Sequence, residues 1–440
     1  MKHHLHLLFA ASFSALSIGA AAAVHDWTAT HIGAFDANEI SVVDMNNAGQ
    51  VTMWSTSGGG RGTFFNAFLY TPGSSGGLVD LGSFGGLQTV PTALNASGQV
   101  VGWSDTPTPP RPLALPQTQA FLYQNGRMER LSLPGETFGA AGDIDDRGQV
   151  LATSGGADNT FRGVIFHPAG PPTVLSVPGG SVRPQGINNR GQVFGNWSRP
   201  TDTRDSSFFY DNGRMVDIGT LGGNTRAVDM NGSGQIVGNS DKAAGRQRPF
   251  LYSDGRMTEI GTTTDFGWAV DINDRGQVLG SHVPEPSSLS GQDAFLYSDG
   301  QMREVGDLGG DSTDPQHLNE LGQVVGFSAV AAPGLRHAFF YSDDDGRTTD
   351  LTQWLMNSFN EVASVSPDAM MGLNDLGQIA IGATLTNGQH TLFVLTPIPE
   401  PSTYALMIVG LGVLAWSARR QRGRSMGNRV DQTHQSELVA

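Results

Sequence analysis

One short phrase, repeated eight times, constrains this chain more than any other feature. Its clearest copy reads Asp271-Ile272-Asn273-Asp274-Arg275-Gly276-Gln277-Val278-Leu279-Gly280. The Gly-Gln pair recurs at Gly49, Gly98, Gly148, Gly191, Gly234, Gly276, Gly322 and Gly377, at gaps of 49, 50, 43, 43, 42, 46 and 55 residues. A period in this range marks a solenoid, a propeller or an array. The first position is Asn or Asp in every copy: Asn46, Asn95, Asp145, Asn188, Asn231, Asn273, Asn319 and Asn374. Such a residue opens a type I turn by bonding its own backbone two residues on. The Gly three positions later takes φ > 0 and closes a three-residue hairpin with a bulge. The apolar run that follows, such as Val100-Val101 or Ile236-Val237, predicts a short buried strand.

A second hairpin alternates with the first. Phe250-Leu251-Tyr252-Ser253-Asp254-Gly255-Arg256-Met257 is its best copy, an aromatic strand meeting Asp-Gly, a strong hairpin signal. Asn125-Gly126, Asn212-Gly213, Asp299-Gly300 and Asp345-Gly346 fill the same turn elsewhere. Each unit therefore carries four strands. Strand a is the aromatic one, b follows Asp-Gly or Asn-Gly, c enters the Asn-x-x-Gly turn, and d follows Gly-Gln. Four short antiparallel strands per repeat predict an all-β fold, a β-propeller of about eight four-stranded blades spanning 24–396. Tight hairpins build antiparallel blades, so a linear solenoid is the weaker reading. Thr28 to Gly33 reads as a b strand and His390 to Leu395 as an a strand, so the C-terminal strand is expected to complete the first blade as a clasp. Turns a–b and c–d share one face; the more variable d–a loops and the Gly-Gly-containing b–c loops share the other. That variable face is the expected binding surface.

Residues 1–23 read as a secretory signal peptide: Met1-Lys2, an apolar centre, then Ala20 to Ala23. The chain has no Cys, which removes disulfide and thiol chemistry. The net charge of −15 argues against a nucleic-acid partner. At the other end, Pro399-Glu400-Pro401-Ser402 precedes the apolar stretch Tyr404 to Trp416 and the cluster Arg419-Arg420-Gln421-Arg422. A helix over Tyr404–Trp416 would rise about 20 Å, short of a bilayer core near 30 Å, so it reads as a transient membrane stop.

That three-part tail resembles the PEP-CTERM sorting signal of Gram-negative bacteria. The resemblance covers 397–424, ahead of a polar tail at 425–440. It implies an exosortase-type processing enzyme as partner, a transient inner-membrane stage, and delivery to the cell surface or exopolysaccharide matrix. Its motif residues here are Pro399, Glu400, Pro401, Ser402, Arg419, Arg420 and Arg422. Pro284-Glu285-Pro286 lacks the apolar run and Arg cluster, so it is not a second copy. The repeats resemble the HAF family of extracellular repeats, named for a sequence present here as His337-Ala338-Phe339. That family implies export and repeat architecture and supplies no catalytic residues.

No motif for chemistry emerges. His-Glu-x-x-His, Gly-x-Ser-x-Gly and a phosphate loop are all missing from the sequence. Asp143, Asp145 and Asp146 form the densest acidic group, but Arg147 occupies the fifth position where a calcium loop wants oxygen. No catalytic residue, metal or cofactor is therefore expected. Trp54, Trp103, Trp197 and Phe327 follow strand d at the mouths of the variable loops and are candidates for stacking on sugar rings; the alternative is that they cap the core. The expected function is a non-enzymatic surface or matrix component that binds a partner, a glycan among the candidates, through one loop face. Alternatives are a polysaccharide hydrolase or lyase working at the ring centre and a spacer without a ligand. Acidic or His residues converging on the axis from different blades would mark the enzyme.

Overall fold

A computed structural model describes residues 26–398 apart from 36, 59–62, 75–76, 108–116, 157–159, 203, 243–245, 262–265, 284–290 and 367–369. The expected signal peptide and the sorting tail with its apolar helix lie outside these residues. The chain divides into a unit of Thr28–Thr396 and a unit made of Met1–Trp27 with Pro397–Ala440. The first unit is the propeller. It has eight antiparallel sheets; in seven of them the strand order follows the chain, and the eighth takes in the N-terminal strand.

Every blade runs c–d–a–b from the axis outward. The c strands are Glu39–Met45, Thr89–Leu94, Phe138–Ile144, Ser181–Ile187, Thr225–Met230, Phe266–Ile272 and Gly309–Leu318, with the split pair Val362–Val365 and Gly372–Leu373 in blade 8. Successive c strands neighbour one another around a complete circuit. The d and a strands behind them hold the core. Val51, Val100, Val193, Ile236, Val278, Val324 and Ile379 are fully enclosed, as are Phe121, Phe208, Phe250, Phe295, Phe339 and Phe393. Gly102 leaves room for close packing: a Cβ there would clash with the Val90 carbonyl oxygen and stand 2.9 Å from the Phe121 ring. Tyr70, Tyr123, Tyr252 and Tyr341 are buried in register, as structural residues should be. In blades 1 to 7 the outermost b strands are short, some only three residues, which limits the open edge offered to other chains.

The repeat turn forms as its residues demand. All eight repeat glycines have φ between +73° and +86°. In the Asn273 copy Gly276 N–H donates to Asn273 O at 3.0 Å, and Asn273 N–H donates to Gln277 O at 3.1 Å. Asn125, Asn212, Asp254 and Asp299 hold φ near +50° (51°, 47°, 52° and 51°) in the a–b turns. Blade 7 differs: Gly346 N–H reaches back to Ser342 O, so its loop is longer. Asp343 in that loop is more than a solvated turn residue, since Arg303 Nη2 lies 2.8 Å from its carboxylate.

The ring closes where blade 8 borrows the strand Trp27–Phe35, which pairs with His390–Pro397 as its outermost member. Thr391 Oγ1 donates to Gly33 O at 2.6 Å, and His31 stacks on Phe393 at 5.1 Å. The clasp strands are those expected, but the loan runs the other way: the N-terminal strand completes the last blade. The longest repeat gap contains the helix Leu351–Ser358, capped by Asp350 accepting from Gln353 N–H at 2.8 Å.

The repeat Asn does more than open a turn. Its Oδ1 accepts two backbone N–H groups of its own turn, and its Nδ2 donates to the repeat Gln and to the next blade. Asn273 Nδ2 donates to Gln277 Oε1 at 2.8 Å and to Asn319 O at 3.0 Å. Equivalent cross-blade bonds run from Asn46, Asn95, Asn188, Asn231, Asn319 and Asn374, the last returning to Asn46 O at 3.0 Å. Asp145 is the break in the belt; its carboxylate binds the Arg147 guanidinium at 2.9 Å instead.

Two substitutions probe this turn. Asn273→Asp keeps the acceptor but loses both Nδ2 donations, and should cost about 1–3 kcal/mol in chemical denaturation. Gly276→Ala must hold a side chain at φ +75° and should cost more than about 1 kcal/mol.

Candidate functional site: the loop face and the axial channel

The c strands carry residues to both ends of the axis. Counting back from the repeat Asn, the fifth position lies near the d–a loop face. Arg183, Arg226, Trp268 and Asp314 occupy it in blades 4 to 7. Arg183 and Arg226 are exposed and share a 140 Å³ cavity with Asn196, Trp197 and Asp205. Trp268 is half-buried, with Phe266 edge-on at 5.8 Å. It borders a 440 Å³ groove with Gln292, Asp314 and Arg336. Arg336 lies 3.4 Å from Asp314, and Leu335 is 54% exposed at the rim. An indole beside amide, carboxylate and guanidinium groups is a surface on which a sugar or a peptide can both stack and hydrogen-bond.

The candidate stacking residues divide. Phe327 is 1% exposed, and Trp197 is 8% exposed within the core around Phe208, with Arg199 over its ring at 4.6 Å. Those rings serve the interior, where most of their faces are covered. Trp54 and Trp103 are half-buried, and Trp54 rests on Phe65 at 5.3 Å. All four candidates lie within strand d rather than after it; Trp268, which sequence reasoning passed over, stands on strand c.

Two positions before the repeat Asn lies an axial layer that sequence reasoning also missed. It holds Asp44, Asp143, Asp229, Asp271 and His317, from five different blades, with Ala93, Gly186 and Gly372 in the others. A β-bulge precedes the layer in each c strand of blades 1 to 7. A bulge re-aims the side chain beside it. Each Asp then binds its own blade and the next. Asp44 accepts Met45 N–H at 2.7 Å and Leu94 N–H at 2.8 Å. Asp143 accepts Ile144 N–H and Ile187 N–H, both at 2.8 Å. Asp229 accepts Ile272 N–H at 3.0 Å, and Asp271 accepts Leu318 N–H at 2.8 Å. Protein surrounds these carboxylates, and the four Asp residues are half-buried as whole residues.

Burial is the main reason their acidity weakens. It pushes Asp143 up to about 7, with help from the charges of Asp44 and Asp229 and against two backbone hydrogen bonds. Burial also raises Asp44. It raises Asp229 well above the ordinary carboxylate range, reinforced by the charge of Asp271. Asp271 is raised by burial, while its hydrogen bond with Asp229 opposes the rise. Burial lowers His317, although Asp44 and Asp229 pull it back up. His317 Nε2 has no hydrogen-bond partner among the described residues. Toward the c–d turns the channel opens into a 570 Å³ mouth bordered by Asp146, Asn189, Arg190 and Asp274. There the residues after the repeat Asn link blades again: Asp274 N–H donates to Glu320 Oε1 at 2.7 Å and Glu320 N–H to Asp375 Oδ1 at 3.0 Å. In the group Asp143, Asp145 and Asp146, Asp146 accepts Ala96 N–H at 2.9 Å. These acids make hydrogen bonds between and within blades.

Asp143 makes stability depend on pH. Its folded form binds a proton more tightly than the unfolded chain does, so its contribution is full below about pH 4 and is lost as pH rises through about 7. Asp143→Ala, which copies Ala93 of blade 2, should flatten the fall in melting temperature between those limits relative to the parent protein.

Comparisons with known proteins bear on the fold and the tail. The PEP-CTERM protein-sorting motif matches residues 397–422. A comparison with curated proteins finds no match. Dipeptidyl peptidase 4 of Porphyromonas gingivalis is similar in structure, with TM-score 0.52 and 10% identity over 78% of this chain and 57% of that one. A prolyl endopeptidase gives TM-score 0.50 and 12% identity over 71% and 49%. The β-propeller domain of the trilobed protease from Pyrococcus furiosus gives 0.47 and 12% over 71% and 98%. This chain spans about half the length of the first two. At such identities the likeness is one of fold: the propeller is shared, and the sorting motif marks a chain directed to the surface of a Gram-negative cell.

Proposed function

We propose that this chain is an exported, surface-sorted and non-enzymatic propeller that binds a polysaccharide through its d–a loop face. The sorting motif at 397–422 carries the reading, since it implies exosortase processing and a surface destination where polysaccharide is the abundant polymer. The resemblance of the repeats to HAF sequences fits the same destination. Trp268 in its polar groove supports the binding role. Two measurements test it. Peptide mapping of the native protein should find a C-terminus near Pro399 to Ser402 in the surface or matrix fraction; an intact chain ending at Ala440 in the membrane would overturn the sorting step. A glycan panel should show binding that Trp268→Ala weakens by about tenfold, a loss of about 1.4 kcal/mol, near the top of the range for an aromatic contact. Binding unchanged in that variant and in Trp103→Ala would overturn the proposed face.

A second reading has its own support. Titratable groups from five blades line the axis, as a hydrolase or lyase acting on polysaccharide would need, and burial with the charge of Asp271 raises Asp229 in the direction a general acid requires. Turnover of exopolysaccharide by the purified protein, lost in Asp229→Asn, would favour it over binding alone.

A further inference from the structure

Blade 6 breaks a charge rule that its neighbours keep. In blades 5 and 7, strand b ends on an acid placed opposite the core Phe of strand a: Glu259 against Phe250, Asp350 against Phe339. A basic side chain two residues before that Phe meets each acid. Arg248 Nε lies 3.6 Å from Glu259, where Lys242 adds a contact at 2.7 Å. His337 Nδ1 lies 2.7 Å from Asp350. Blade 6 keeps the frame, with Phe295 opposite Glu304. Two residues before Phe295, however, stands Asp293. A second carboxylate occupies the place of the cation.

Strand d supplies the third member. His282 is paired in register with Asp293. One ligand atom from each of His282, Asp293 and Glu304 lies within 4.8 Å of the other two. His282 is 8% exposed and edge-on to Phe295 at 6.0 Å, which limits its freedom. Asp293 is half-buried and Glu304 exposed. Two carboxylates this close repel one another, and a divalent ion between them reverses the sign of that term. One imidazole nitrogen with two carboxylate oxygens is a donor set that zinc accepts. With donors about 2.1 Å from a tetrahedral ion they stand roughly 3.4 Å apart. The exposed Glu304 can make most of that closing movement.

The geometry points to a divalent-cation site at His282, Asp293 and Glu304, best matched to zinc, with one coordination position open to an outside oxygen donor. The test is calorimetric titration of the tag-free protein with Zn²⁺. The parent protein is expected to take up a single ion per chain. Asp293→Arg should abolish uptake yet fold normally, because its guanidinium restores toward Glu304 the pairing that Arg248 makes in blade 5. His282→Ala should abolish uptake as well. Thermal melts followed by circular dichroism establish that each variant is folded. Should Asp293→Arg fail to fold, Glu304→Gln, a change of one exposed group, carries the same expectation. No stoichiometric uptake by the parent protein, or uptake unchanged in folded variants, would overturn the site.

Discussion

The propeller rests on one side-chain amide. The repeat Asn meets two acceptors and two donors at once, and only one of its bonds leaves its own blade. Because that bond is made to the backbone carbonyl of the equivalent Asn, the geometry of one turn sets the position of the next. A buried amide left unpaired costs more than a made bond returns, so the belt tolerates little slippage between blades. Asp145 shows the constraint from the other side. A carboxylate cannot donate, and the protein answers with Arg147, whose guanidinium covers the unmatched oxygen.

Much of this architecture was legible in the residues. The turn phrase needs Asn and Gly at fixed positions for local reasons, and local reasons can be read without coordinates. The aromatic strands, the Asp-Gly turns and the two clasp strands follow from the same logic. The blade phase did not, because it depends on which strand lies nearest the axis. The role of Gln was also hidden: its Oε1 is the partner of an amide four residues earlier, a contact that exists only once the turn has closed.

The sites were less legible, for one physical reason. Asp44, Asp143, Asp229 and Asp271 sit at equal distances before their repeat Asn, yet sequence spacing cannot say that blades far apart in the chain share an axis. Sequence alone also could not rank the aromatics by exposure. Phe327 and Trp268 look alike as letters, but strand d lies inside the sheet and strand c borders open space. His282, Asp293 and Glu304 are eleven residues apart in each step, a spacing that means nothing for a helix or a loop and becomes meaningful when three neighbouring strands align. The acids of the axis and the aromatic groove of the loop face thus lie at different depths on the same c strands. A fold that needs its axial acids for staples is free to vary its loop face.

The borrowed strand in blade 8 ties assembly to the arrival of the last repeat. Thr391 and Gly33, which the clasp joins, are 358 residues apart. Contacts of such separation are slow to form, because the entropy of a long loop is lost before the contact returns anything. The first strand must therefore wait, unpaired, while seven blades form beside it. A ring of this kind stays an open arc until its last repeat arrives, so the final repeat and the closing of the circle belong to one event.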